Sequence, residues 1–197
     1  TPWDEESIPS NVSNELYIKE GQEVTVSSLP QSAPSGDNFI RGVRLYRSVA
    51  SASATDFFLL ATLWFPTAVS TVARASNVST VTLTHPHNFI TGDRFKISGC
   101  SDSSFDITGG IVTEIVNDYT FKYAQTASDV ASTAATAGTL FHDVSESIND
   151  TARYWGDGSY NFTDDFLVSS LETIIPSEEY DPPPADMKGL ITAHNNI

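Results

Sequence analysis

Along residues 42–49, Val43, Leu45 and Arg47 fall on one side of the chain and Arg44, Tyr46 and Ser48 on the other. That period of two predicts a half-buried antiparallel strand. After a turn of small and hydroxyl residues, 50–55, the run 56–63 brings Phe57, Phe58, Leu59, Leu60, Ala61 and Leu63, which leave neither side polar. Such a run predicts a central strand covered on both faces. The rest of the chain is arranged around this hairpin, which runs on to Trp64.

Residues 1–14 are rich in Pro, Ser and acidic side chains and predict an extended lead-in. Short strands follow at 15–19 and 22–27, hinged at Gly21. In the second of these, Val24 and Val26 alternate with Glu23, Thr25 and Ser27, so one face is buried and one wet. Residues 29–38 form a loop dense in Pro, Ser and Gly. Beyond Trp64, Pro66 is expected to end the strand or hold it at an edge.

The pattern then changes. Strand candidates at 78–84, 94–98, 110–116 and 119–124 are each bounded by turn signals, namely Thr91-Gly92-Asp93, Ser98-Gly99, Gly109-Gly110 and Asn117-Asp118. Strands this short and this spaced predict a small barrel or sandwich of their own, with Asn117-Asp118 as a two-residue hairpin turn. Residues 124–138, rich in Ala, Ser and Thr, favour a surface loop. Residues 139–142 return as a strand, 159–163 as another, 166–171 as a short amphipathic piece. Three consecutive prolines within 176–186 fix an extended, stiff connector.

The expected architecture is all-β. Residues 1–67 and 139–175 would form one discontinuous sandwich, 68–138 a small β domain inserted in one of its exposed loops, and 176–197 a Pro-rich connector leading into a further β region.

Composition narrows the function classes. A 40% hydrophobic content over 197 residues suffices for a real core. With 10 Lys and Arg against 25 Asp and Glu, the net charge is −15, which repels phosphate backbones and argues against nucleic-acid binding through a basic face. A single cysteine, Cys100, excludes an internal disulfide and a multi-cysteine metal site. No stretch approaches the ~18 apolar residues of a membrane span, and Thr1-Pro2-Trp3-Asp4 lacks a signal peptide's basic and apolar regions. The start lacks a Met and residues 189–197 read like the opening of another strand, so both ends are expected to continue into a longer protein.

Candidate chemistry is sparse. The acidic clusters Asp4-Glu5-Glu6, Asp164-Asp165 and Glu178-Glu179 with Asp181 all lie in predicted turns or linkers, where solvated acids are ordinary, rather than facing each other as a hydrolytic pair. Asn149, Asp150, Asp157, Asp164 and Asp165 could bring oxygen ligands to calcium, yet the spacing of a dedicated calcium loop is absent. His85 and His87, two residues apart, lack a third metal ligand at a telling distance and read as structural histidines at a turn. Tyr154, Trp155 and Tyr160 flank the turn Gly156-Asp157-Gly158, where they would either offer a stacking platform to a sugar or cover the end of a β core. No catalytic motif is present, so no enzymatic activity and no cofactor are expected.

Two blocks carry a family resemblance. Arg44-Leu45-Tyr46-Arg47-Ser48, then Asp56 to Ala61, and later 159–165 and the connector 176–191 (PSEEYDPPPADMKGLI) resemble a family of tailed-bacteriophage virion proteins. Its members join a fibronectin type III-like module to a further β domain through such a connector. Residues 3–10 look like the end of the module's first strand, with Asp4 in the glycine position. The second block, 81–99 with 116–121, is similar to a small β-barrel repeat of phage tail and baseplate proteins, with Asn88 standing where that repeat has glycine.

The resemblance implies a non-enzymatic structural component of the virion, in the tail or neck, forming a ring with copies of itself and other virion proteins, without nucleic-acid binding or membrane insertion. The alternative it leaves open is a carbohydrate-binding module for host-surface glycans, using Tyr154, Trp155 and Tyr160 or the loops of the small barrel.

Overall fold

In the computed structural model, residues 23–33, 40–48, 57–145, 151–158 and 161–164 are described. Their regular structure is all-β apart from one short 3-10 turn. The strands are β1 (Val24–Val26), β2 (Gly42–Ser48), β3 (Phe57–Trp64), β4 (Thr67–Ala75), β5 (Val78–Leu83), β6 (Arg94–Ser98), β7 (Ile107–Asn117), β8 (Thr120–Ala124), β9 (Val130–Ala134), β10 (Thr139–His142) and β11 (Phe162–Asp164), with the 3-10 turn at Ser103–Phe105. Expected strands at 15–19 and the segments 166–171 and 176–197 lie outside the described residues.

Six strands close into a barrel in the order β10-β6-β7-β8-β5-β4, sealed where β10 pairs with β4 through Thr139 to Ala68 and Leu140 to Thr67. Every pairing around the ring is antiparallel. Closure leaves no open edge within the ring. The farther half of β4 takes β9 on that same edge, through Thr71, Val72 and Arg74. The strand at 139–142, read from sequence as part of the outer unit, is thus the stave that completes the barrel.

The barrel interior follows from alternation. Val69, Val72, Val81, Leu83, Phe95, Ile97, Val112, Phe121, Tyr123 and Leu140 point inward and pack with Phe89 and Phe105. Each such aliphatic or aromatic side chain taken out of water contributes on the order of 1.5–3 kcal/mol. Phe95 and Phe121 meet edge to face with ring centroids 5.0 Å apart, and Phe95 meets Tyr123 at 5.1 Å. The Phe95 ring lies so close over β7 that a Cβ on Gly110 would sit 2.5 Å from its Cζ atom, which explains the glycine at an inward-facing position.

A second core lies outside the barrel. Leu60, Leu63 and Phe65 pack with Val144, Trp155 and Phe162, and Val26, Leu29, Val43 and Leu45 close around them. Two strand pairs supply it, β2 with β3 and β1 with β11. Arg47 of β2 reaches across to the Asp164 carboxylate of β11 at 2.6 Å and ties the two pairs together. Among the described residues β3 pairs with β2 alone and most of its side chains are half-buried, so the expectation of a strand enclosed on both sides is not met there.

Several sequence expectations shift by physical detail. The β7–β8 turn is Asp118-Tyr119, one residue later than expected, because Asn117 completes β7 opposite Thr120 and its side-chain Oδ1 accepts the Tyr119 N–H at 2.9 Å. Strand β4, not anticipated, begins straight after Pro66. Part of the stretch expected to be a loop, 124–138, forms β9.

Candidate functional site

The largest concentration of unusual side chains lies where the second core meets the barrel. The chain crosses this junction at residues 142–144: the Asp143 N–H donates to the Arg94 carbonyl, the Val144 N–H donates to the Arg153 carbonyl at 2.7 Å, and the Trp155 N–H donates to the His142 carbonyl. The Asp143 carboxylate is the hub. Arg94 donates to it through Nε, and the Arg153 and Ser145 N–H groups donate at 2.8 and 3.1 Å. Arg94 also donates to the Ser145 hydroxyl at 2.6 Å. Charge-assisted bonds of this kind, largely out of water, hold two elements in one geometry.

Beside this hub opens a cleft of about 300 Å³ between the end of β3 and the loop before β6. Thr62, Trp64, Asn88, Asp93, Arg94 and His142 line it. Trp64 closes β3 and is half-buried, its ring centroid 6.3 Å from that of His142. His142, 7% exposed, lies tilted against Phe89 with ring centroids 4.4 Å apart. Burial, aided by His87 nearby, pushes its imidazole down to about 3, so it is neutral near pH 7. Asn88 takes a positive φ of 55°, which turns the chain toward the cleft mouth at a position where asparagine is tolerated. His87 anchors the turn: its Nδ1 accepts the Phe89 N–H at 2.9 Å and its Nε2 faces the Asn117 carbonyl at 2.9 Å.

A second polar cluster plugs the barrel at the 3-10 turn. Arg74, 2% exposed, lies 4.2 Å over the Phe105 ring. It donates to Gln125 Oε1 at 2.6 Å, to the Ser104 carbonyl at 2.8 Å and to the Ser79 hydroxyl at 3.0 Å. The Tyr123 hydroxyl donates to the same Gln125 oxygen at 3.0 Å, and burial raises its phenol to about 12. The donors and acceptors here satisfy each other, so this cluster is structural.

The residues singled out from sequence separate accordingly. Tyr154 and Trp155 are 6% and 1% exposed, Trp155 within the second core and Tyr154 beside Gly109 and Lys96, so neither presents a ring face as a sugar platform. The turn after them explains why: Gly156, at φ +80°, is pressed so closely against the Pro66 ring that a side chain would collide with it. Tyr160 lies outside the described residues. Asp157 is drawn to Lys96 at 3.5 Å and Asp164 to Arg47, so neither is held ready for calcium; Asn149, Asp150 and Asp165 are not described. Cys100 is buried, and burial with Asp106 beside it raises its thiol to about 11, which leaves it protonated and unreactive at neutral pH. His85 and His87 sit at a turn, and no group of three or more metal-ligating side chains forms among the described residues.

The cleft residues were not singled out from sequence. In the sequence Trp64 reads as a strand end and His142 as a strand residue without the spacing of a metal ligand; Asn88, in the glycine position of the barrel motif, carries a signal. No protein-family model, curated protein or solved structure matches the chain.

Proposed function

We propose that this protein is a structural component of a tailed-bacteriophage particle, of its tail or neck, acting through contacts with copies of itself and with other virion proteins. In this reading the second core belongs to a fibronectin type III-like sandwich, and the barrel is the tail-type repeat inserted in it. The motifs of residues 44–48, 81–99 and 176–191 support it.

The observation that carries the reading furthest is mechanical. The barrel and the second core are joined at residues 142–144 by main-chain bonds and by the Arg94–Asp143 hub, so the two units are clamped in one orientation. A fixed angle between two β units matters to a part that must repeat around a ring; it matters little to a tethered catalyst. The test is electron microscopy of purified particles with this chain traced, beside mass spectrometry of the same particles. The chain should be found in stoichiometric copies forming a closed ring. Its absence from washed particles would overturn the proposal.

A further inference from the structure

We propose that one flank of the barrel, built from residues 111–117 of β7, the turn that follows and the loop 85–93, is a docking surface for another protein, one that presents apolar side chains ringed by lysine or arginine. The proposal does not depend on the virion reading, and it names a partner other than a copy of this chain.

The flank differs from the wall beside it. On β5 and β8 the positions that alternate with inward Val81 and Phe121 are Thr80, Thr82, Thr120 and Lys122, the polar outer face that an antiparallel sheet turns to water. On β7 and along it the surface becomes apolar. Ile90, Ile111, Ile115, Val116 and Tyr119 are five of the seven large hydrophobic side chains exposed among the described residues, and Ile90 is 71% exposed. Apolar side chains scattered singly over a surface are ordinary, whereas a group of them on one flank marks a contact site.

Backbone bonds hold the group together. The Gly92 N–H donates to the Val112 carbonyl, the Val112 N–H to the Asp93 carbonyl and the His87 N–H to the Asp118 carbonyl, each at 2.9 Å, so the loop lies along β7 from residue 112 to residue 118. Within the loop His87 and Phe89 are buried while Asn88 and Ile90 are exposed, a period of two that turns Ile90 outward beside the strand. The surface is formed before a partner arrives, which limits the ordering entropy lost on docking.

Charge chooses the occupant. Asp93, Glu114 and Asp118 lie along the same flank, and Lys122, the cation next to them, is engaged by Glu114 at 2.9 Å. Arg94 is drawn off to Asp143 at the junction. An apolar surface edged by carboxylates, on a chain of net charge −15, is complemented by apolar side chains with a positive rim. Two copies of the chain meeting flank to flank would set carboxylates against carboxylates, and an anionic lipid surface would be repelled for the same reason.

The test is nuclear magnetic resonance of the full chain with labelled Ile and Val methyl groups, titrated with synthetic peptides of equal length in which leucine alternates with lysine, leucine with glutamate, or serine with lysine. The leucine–lysine peptide should move the Ile90, Ile111 and Ile115 methyl signals along one saturable curve, and the other two should bind at least about tenfold more weakly. Ile90→Ser with Ile111→Ser should weaken that binding about tenfold, both side chains being exposed, whereas Val78→Ser, which removes an exposed valine of β5, should leave it unchanged. Glu114→Gln with Asp118→Asn should weaken it about threefold. The proposal is overturned if either control peptide binds as tightly, if the double isoleucine variant keeps the curve, if Val78→Ser weakens it as much, or if removing the two carboxylates leaves it unchanged. Sedimentation of the chain alone that shows dimers dissolved by Ile90→Ser would assign the flank to a second copy and overturn it. Binding to phosphatidylcholine vesicles that Ile90→Ser abolishes would assign the flank to lipid and overturn it as well.

Discussion

Arg74 and His142 are both kept from water, and the fold treats them differently. Arg74 carries its charge inside and has that charge spread over Gln125, Ser104, Ser79 and the face of Phe105. His142 gives its charge up, held near 3 against an ordinary 6.5. Between those values the unfolded chain binds a proton that the folded chain refuses. The contribution is therefore complete above about 6.5 and is lost as pH falls toward 3, by up to ~1.4 kcal/mol per pH unit. The lowered His85 adds to it in the same direction. Urea midpoints taken at about pH 7 and about pH 5 should drop for the native chain and drop less for His142→Phe, which keeps an aromatic ring against Phe89. An equal drop in both would assign the effect to other groups.

Among the elements, the β4–β5 hairpin shows a local sequence working against its own geometry. Its turn residues Ser76 and Asn77 both have positive φ, 53° and 64°, the signature of a type I′ turn. Serine is poorly suited to that region, and the Ser76 N–H is steadied by Asp129 Oδ1 at 2.9 Å. Replacing the pair by Ser76→Asn with Asn77→Gly should stabilise the chain by about 1 kcal/mol, read as a higher thermal midpoint. No change, or a loss, would mean that the Asp129 contact outweighs backbone strain.

The same hairpin marks the limit of what the sequence discloses. Strands β5, β6 and β8 are legible because inward Val81, Phe95, Ile97, Phe121 and Tyr123 alternate with polar neighbours. Strand β4 alternates too, but a bulge between Val69 and Thr71 breaks its period and Pro66 stands at its door. Strand β9, Val-Ala-Ser-Thr-Ala, leaves four of its five residues exposed, so hydrophobicity gives no cue to it. The cleft is harder still. Trp64, Asn88 and His142 meet only because β10 closes the barrel beside the end of β3, a long-range pairing that no window of sequence contains.

For the whole molecule, two cores share one junction, and Asp143 holds it. Asp143→Ala would strip Arg94 of its carboxylate in a site where the two side chains are 13% and 6% exposed. The expected loss is about 3 kcal/mol, the cost of leaving one half of a mostly buried pair. Differential scanning calorimetry should then resolve separate transitions for the barrel and the second core where the native chain melts with the two coupled. A single transition merely shifted downward would show that backbone bonds alone suffice to couple them.

The barrel begins at Thr67 and ends at His142, and its first and last strands lie side by side with Leu140 opposite Thr67. A polypeptide that leaves such a structure where it entered makes the whole of residues 67–142 a cassette: its outer loops can lengthen, shorten or be exchanged entire, while the strands on either side keep their places. The cassette's last stave is also the last to leave the ribosome, so Phe95, Phe121 and their neighbours stay uncovered until nearly the entire segment has been made.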